Sequence, residues 1–268
     1  MKVLFTGHRG FLGRELIPKL AREFEIKIYE GDLCHFQELR QFVADNRIEK
    51  IVHAAVRGGR RIKVDDYKVL ETNLVASTNL LMLDLPTLSF CSGAIYGRQE
   101  SLSNSKENQA GDRYPDDYYG QSKFLFRQIA IDKPNIQILR FFNVFGVQET
   151  PERFLTSNIR RYINREPMQV FQDFYMDFFF VEDSLPLVSR WLKGVEIPKE
   201  INLVYTKKYL LSEICQKINK LGNHSVEVEF TNDLPGKNYC GDGTVLESQG
   251  LNLKGLEYGI NEIFKSMN

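Results

Sequence analysis

Through the first 142 residues, short apolar runs alternate with amphipathic stretches. Val3-Leu4-Phe5-Thr6 leads into a helical pattern over 11–23, and Ile26-Lys27-Ile28-Tyr29 into one over 36–45. Ile51-Val52-His53-Ala54-Ala55 leads into a long helical pattern over 66–82. Leu88-Ser89-Phe90-Cys91 precedes the helix that carries Tyr119 and Lys123, and a run over 136–142 closes the series. Strands joined by helical crossovers predict a parallel sheet covered on both faces. Pro18 falls inside the first helix and is expected to kink it or remove a backbone bond.

After Gly146 the rhythm changes. Helices are expected over 154–163, 183–192, 210–221 and 256–267, strands over 200–204 and 226–230, and extended structure over 168–181. The last contains the aromatic run Phe174-Tyr175-Met176-Asp177-Phe178-Phe179-Phe180. A buried strand is the expected reading of that run, with base stacking the alternative. The pattern predicts an α/β protein with a large domain over 1–149 and a smaller C-terminal mixed α/β lobe over 150–268. Residues 178–192 are expected to pack back on the large sheet. The stretch 101–114, rich in Ser, Asn, Gln and Asp, predicts a mobile loop.

Composition narrows the function classes. The chain has 268 residues, 43% hydrophobic, with 35 basic and 35 acidic side chains, which gives no reason to expect nucleic acid or an anionic membrane as partner. No apolar run approaches the roughly 20 residues that span a bilayer. Met1-Lys2-Val3-Leu4-Phe5 meets glycines at once and is expected as a buried strand, not a signal peptide. Cys34, Cys91, Cys215 and Cys240 lack zinc spacing, as do His8, His35, His53 and His224. The expectation is a reduced, cytoplasmic protein with no metal site.

Candidate chemistry begins at Thr6-Gly7-His8-Arg9-Gly10-Phe11-Leu12-Gly13. After a first strand, Gly7 allows a tight turn, Gly10 lets a pyrophosphate approach, and Gly13 lets helix and sheet pack closely. The helix N-terminus offers N–H donors to the anion. A glycine-rich turn with no ligand is the alternative, disfavoured by the placement. The placement favours a dinucleotide site. Glu30 could accept bonds from ribose hydroxyls, whereas Arg9 could pair with a 2′-phosphate. Asp32 could contact adenine or cap a helix, and Ala54 and Ala55 could let a cofactor lie flat or serve close packing.

Tyr119 and Lys123, four residues apart, share one helix face. The lysine charge can favour the phenolate and lower the tyrosine pKa. Ser92, just past a strand end, could hold a carbonyl oxygen and stabilise charge there. Each has a plain alternative: surface aromatic, solvated lysine, turn serine. Three coincident placements favour a hydride-transfer centre with Tyr119 as proton donor.

These motifs resemble the extended short-chain dehydrogenase/reductases, the NAD-dependent epimerase/dehydratase family of nucleotide-sugar enzymes. The resemblance covers nearly the whole chain. It includes the glycine loop, Asp32-Leu33, Val52-His53-Ala54-Ala55, Asn73, Ser92-Gly93-Ala94-Ile95-Tyr96-Gly97, Tyr119 to Lys123, Arg140-Phe141-Phe142-Asn143-Val144-Phe145-Gly146 and Phe180-Val181-Glu182-Asp183. It implies a Rossmann-type doubly wound sheet and a nicotinamide cofactor held by the glycine loop (Gly7, Arg9, Gly10, Phe11, Leu12, Gly13), Glu30, Asp32, Leu33, Ala54, Ala55, Asn73, Tyr119, Lys123 and Phe142. It also implies a sugar nucleotide between the lobes with Asn143 near its diphosphate, and a homodimer.

Gly7-His8-Arg9-Gly10 and Ala54-Ala55-Val56-Arg57-Gly58-Gly59 look closest to the GDP-fucose synthase-like 4-ketosugar reductases. Two departures narrow the reaction. Ala94 stands where the epimerising cysteine belongs, and Gly93 and Ala94 stand where dehydratases carry carboxylates. A 4-ketosugar reductase is the first expectation, a 4-epimerase with retained NAD the second, a non-enzymatic cofactor-binding relative the third. NADP or NAD is expected, with NADPH favoured for a reductase. Met176 stands where relatives often place a phosphate-holding arginine; Arg57, Arg60 and Arg61 could compensate, or stay solvated as most charged loops do.

Overall fold

The computed structural model of the protein describes residues 1–59, 64–232 and 234–268. Arg60 and Arg61, which could hold substrate phosphates or stay solvated, lie outside the described residues. The first half supplies β1 (Lys2–Thr6), α1 (Phe11–Leu20), β2 (Glu25–Lys27), α2 (Phe36–Asn46), β3 (Lys50–His53), α3 (Tyr67–Met82) and β4 (Thr87–Ser92). Then follow β5 (Leu102–Ser105), α4 (Tyr118–Ala130), β6 (Ile136–Phe141), β7 (Val144–Phe145), α5 (Phe154–Ile163), β8 (Met168–Val170) and β9 (Phe179–Phe180). The chain ends with α6 (Leu185–Leu192), β10 (Glu200–Leu203), α7 (Leu211–Ile218), β11 (Val228–Phe230), β12 (Tyr239–Gly241), α8 (Thr244–Glu247) and α9 (Leu256–Met267).

Six strands form one parallel sheet in the order β10-β6-β4-β3-β1-β2. Its inner strands are largely apolar on both faces because helices cover both. Leu16 and Leu20 of α1 join Leu187, Val188 and Trp191 of α6 over one face. Leu39 and Leu80 pack with Leu4 and Ile51, and Phe126 and Ala130 with Ile136 and Ile138, over the other. Chain order reverses between β1 and β3, so their carboxyl ends form the switch point where ligands bind such sheets. A second core joins Phe145, Ile159, Tyr162, Ile214 and Ile260 beneath the C-terminal helices. No helix among the described residues is long and apolar enough to cross a membrane.

Several expectations change. The stretch 150–268 also gives the large sheet its edge strand, β10. Phe179, Val181 and Leu187 share the core of Val3 and Phe5. Of 168–181, only β8 and β9 are strands, because the backbone between them bonds to two neighbours instead of one ladder. Phe174 O accepts from Leu211, whereas Tyr175 O accepts from Tyr239 at 2.9 Å. The stretch 101–114 is folded: β5 pairs with β12, and Glu107 accepts the Asn202 N–H at 2.8 Å. Its polar side chains satisfy neighbouring backbone groups, which the sequence reads as loop. Pro18 falls two residues before the end of α1, so its missing N–H affects only the last turn.

Candidate active site

The glycine turn sits at the switch point. Gly7 has φ +82°, and a Cβ there would lie 2.6 Å from Ala55 N and 2.7 Å from Ala54 C, so the turn closes onto the end of β3. A Cβ on Gly13 would lie 2.5 Å from Gly7 O and from His8 Cα, fixing α1 against the sheet. Gly10 differs: a Cβ would meet only Gly7 O, at 3.2 Å, and would otherwise fill the open cradle. Gly10 is the N-cap of α1 and makes no side-chain cap bond, so its place is taken neither by a side chain nor by a cap. The cradle fits a dinucleotide pyrophosphate on the amides leading into Phe11 and Leu12.

Around the cradle, Arg9 and Glu30 pair with each other at 3.8 Å, with both side chains largely exposed. Glu30 lies in the loop beyond the end of β2. Asp32 accepts the Cys34 N–H at 2.9 Å, and that bond lowers its pKa; the N-cap of α2 is His35. Leu33 packs on the Leu4 and Leu39 core, and its carbonyl accepts from Asn79 at 2.8 Å. Asn73 acts on the loop after β3: it accepts the Arg57 N–H at 2.8 Å and donates to Arg57 O at 2.9 Å. The Arg57 side chain is exposed.

Asp117 starts α4 by accepting the Gly120 N–H at 2.8 Å, and the helix then presents Tyr119 and Lys123 together. Lys123 is 6% exposed, with Nζ 5.8 Å from the Tyr119 ring centre. Ser92, at the end of β4, acts on the Tyr119 hydroxyl and favours its ionised form, while its Oγ accepts the Ala94 N–H at 3.2 Å. Gly59, at φ +81°, lies on the Tyr119 ring; a Cβ there would be 2.7 Å from it. The sequence expectation that Lys123 lowers the Tyr119 pKa needs correction. Burial dominates and raises it, while Ser92 and the more distant Arg98 charge oppose that rise. Burial also pushes Lys123 down.

His53 lies in the same buried layer, 2% exposed, with Nδ1 2.7 Å from Thr6 Oγ1 and Nε2 3.3 Å from Ser77 Oγ. Burial, then the Lys123 charge, drives its pKa down to about 3. Between about 3 and the ordinary 6.5, the unfolded chain binds the proton and the folded one does not. Stability from this group is therefore present above pH 6.5 and is lost as pH falls. From pH 7 to 5 its share of the loss is about 2 kcal/mol. Urea unfolding at both pH values is expected to show that much less pH dependence in His53→Gln than in the parent.

Beyond the cradle, Asn143 accepts a bond from Arg153, which also donates to Val144 O at 2.9 Å. The Phe142 ring, expected at the cofactor, is 6% exposed and packs on Tyr96 at 5.5 Å and Tyr239 at 5.1 Å. The ring joins the two parts of the chain by packing. A cavity of about 790 Å³ opens beside Tyr118 and is lined among others by Arg98, Asp117, Phe174, Lys237 and Tyr239.

The family model described as the NAD dependent epimerase/dehydratase family matches residues 3–203. The chain belongs to that family. It is an enzyme of the extended short-chain dehydrogenase/reductase type. The GDP-6-deoxy-D-talose 4-dehydrogenase of Aggregatibacter actinomycetemcomitans is 24% identical over 249 residues, 85% of this chain and 83% of that protein. Among solved structures, the GDP-mannoheptose C4 reductase of Campylobacter jejuni, with NADP bound, superposes with TM-score 0.85 at 17% identity, covering 99% of this chain and 98% of that one. The UDP-glucose 4-epimerase of Thermotoga maritima, with UDP-glucose, gives TM-score 0.82 at 18% identity, covering 100% and 98%.

Within this epimerase/dehydratase enzyme, the sequence reading missed Arg98, Tyr239, His53 and Arg153. Arg98 pairs with Asp117 and stands 5.9 Å from the Tyr119 ring centre. Tyr239 comes from the far end of the chain, its hydroxyl where a Gly93 Cβ would meet it at 2.9 Å. The N-cap Asp117, two residues before Tyr119, was readable; its partner was not.

Proposed function

We propose that the protein is a nucleotide-sugar 4-ketoreductase that uses NADPH. When bound, the nicotinamide supplies the hydride to the carbonyl carbon. Tyr119 gives its proton to the carbonyl oxygen, which Ser92 holds by a hydrogen bond that strengthens as charge develops there. Lys123 would hold the cofactor's ribose, the amides at Gly10 to Gly13 would hold its pyrophosphate, Asp32 would contact the adenine, and Ala54 and Ala55 would leave room for it.

The observation that carries the reading is the placing of Ser92 at the Tyr119 hydroxyl beside two closed positions. A Cβ on Gly93 would strike the Phe142 ring at 2.7 Å, and Ala94 is fully buried. Neither position has room for a carboxylate or thiol aimed at a sugar, so dehydration and C3/C5 epimerisation lack their groups. The sugar nucleotide would enter the cavity beside Tyr118, where Arg98 and Lys237 offer cations to its diphosphate. A 4-epimerase uses the same three residues, and the resemblance to UDP-glucose 4-epimerases keeps it as the second reading. Denaturing the purified protein separates the two. Release of substoichiometric nucleotide is expected of the reductase; one tightly held NAD or NADH per chain would move the epimerase ahead.

The preference for NADPH rests on Arg9, which is free to leave its exposed pairing with Glu30 for a 2′-phosphate. Fluorescence titration is expected to show NADPH binding tighter than NADH. Arg9→Met should weaken NADPH by about 10-fold while leaving NADH nearly unchanged. Equal or tighter NADH binding in the parent would sink the preference.

A further inference from the structure

Arg98 has no part in the proton transfer described so far, yet its charge stands as close to the Tyr119 ring as that of Lys123: 5.9 Å against 5.8 Å. The two cations differ in what burial does to them. Lys123 is 6% exposed and burial disfavours its charge, whereas a guanidinium keeps its proton at every working pH. Gly97, at φ +81°, turns the chain after the short helical turn Gly93–Tyr96 and so sends Arg98 towards α4. There Nε meets Asp117 Oδ2 at 3.2 Å and Nη2 meets Oδ1 at 2.8 Å. Oδ1 is the same oxygen that caps α4 through Gly120.

We propose that Arg98 is a positioning residue for the acid/base tyrosine: tied to Asp117, it fixes the first turn of α4 and holds a permanent positive charge beside the Tyr119 ring. The pair shares one fork of bonds that spans the turn after β4 and the start of the catalytic helix. The other groups acting on Tyr119 are Ser92 and Cys91 from β4, Lys123 from its own helix, and Tyr239 from β12. Gly59, tied by its N–H to Asp65 at 2.9 Å, closes the ring's face from the loop after β3. Unlike these, Arg98 is an obligate cation, and it lines the cavity that the substrate would enter. A bland ion pair is the competing view, and the two views differ in sign.

This inference rests on the reading of Tyr119 as the acid/base group, but its test needs no turnover. The protein is labelled with ¹³C at the tyrosine ζ carbon, saturated with NADP⁺ and titrated as far into alkali as circular dichroism shows it folded, and where a midpoint lies beyond that range the shift is read from the fraction ionised at the highest common pH. The Tyr119 resonance is identified by its loss in Tyr119→Phe. Arg98→Met is expected to raise the midpoint by about one pH unit: unit charges ~6 Å apart at an effective dielectric near 20 act by roughly two units, about half offset by Asp117. Asp117→Asn keeps the cap, removes the counter-charge and is expected to lower the midpoint. Arg98→Lys should return most of the Arg98→Met shift.

Opposite shifts in Arg98→Met and Asp117→Asn support the proposal. Shifts of one sign, unchanged midpoints, or no titration in any variant overturn it. If Arg98→Met does not fold, as judged by circular dichroism, Asp117→Asn and Arg98→Lys decide alone. Opposite shifts without turnover of any 4-keto sugar nucleotide would sink the proposed function and leave this inference standing. Turnover with unmoved midpoints would do the reverse.

Discussion

Tyr119→Phe is expected to lower kcat by about 1,000-fold while leaving the fold and cofactor affinity intact. The magnitude is that of losing a positioned general acid. The ring stays, so the packing of Gly59 on its face is kept. What goes is the hydroxyl on which Ser92 acts and, with it, the proton for the carbonyl oxygen. Steady-state rates with unchanged NADPH affinity would check both halves. If Tyr119→Phe retained more than about a tenth of the activity, another group would have to supply that proton, and Tyr239 would be the first to test.

The second large effect separates two glycines three residues apart. Gly13→Ala puts a Cβ 2.5 Å from Gly7 O and from His8 Cα, backbone atoms that cannot yield without moving β1 or α1. Its expected cost is about 3 kcal/mol or more, seen as a lower Tm without any ligand. Gly10→Ala meets only Gly7 O at 3.2 Å, and the new methyl projects into the cradle. The Tm without ligand should stay within about 1 °C, while dinucleotide affinity falls by about 30-fold or more. Differential scanning calorimetry with and without NADPH reads both. Equal loss of stability in the two variants would mean that the cradle is not the anion site.

Much of the fold was legible because strands buried on both faces read as continuous apolar runs, and each is followed by helical periodicity. α5 and α9 fall where the pattern places them, at Phe154–Ile163 and Leu256–Met267. β5 and β12 were not legible. They are short, polar or flanked by polar residues, and pair across more than half the chain, so no local period marks them. The aromatic run is a buried strand only at Phe179–Phe180; before it, the backbone is shared between β12 and the start of α7, which no local period marks.

The site divides along the same line. Gly7 to Gly13 and Tyr119 with Lys123 each lie within one local stretch, and their spacing carries the chemistry. Ser92 was placed by its position at a strand end. Arg98 was hidden because its partner Asp117 and its target Tyr119 lie across a loop. The Tyr119 pKa was misjudged because spacing shows which charge stands nearby but not how deeply both groups are buried. Burial raises the tyrosine and lowers the lysine, which only the packing reveals.

The most direct test of the central claim is the stoichiometry of cofactor use. Purified protein is mixed with a limiting 4-keto sugar nucleotide and excess NADPH, and absorbance at the reduced-nicotinamide band is followed to completion. One NADPH oxidised for each ketone consumed, with no oxidation when the ketone is left out, is the expected result. Interconversion of sugar nucleotides with no net NADPH consumed, or no reaction across a panel of 4-keto sugar nucleotides, would contradict it.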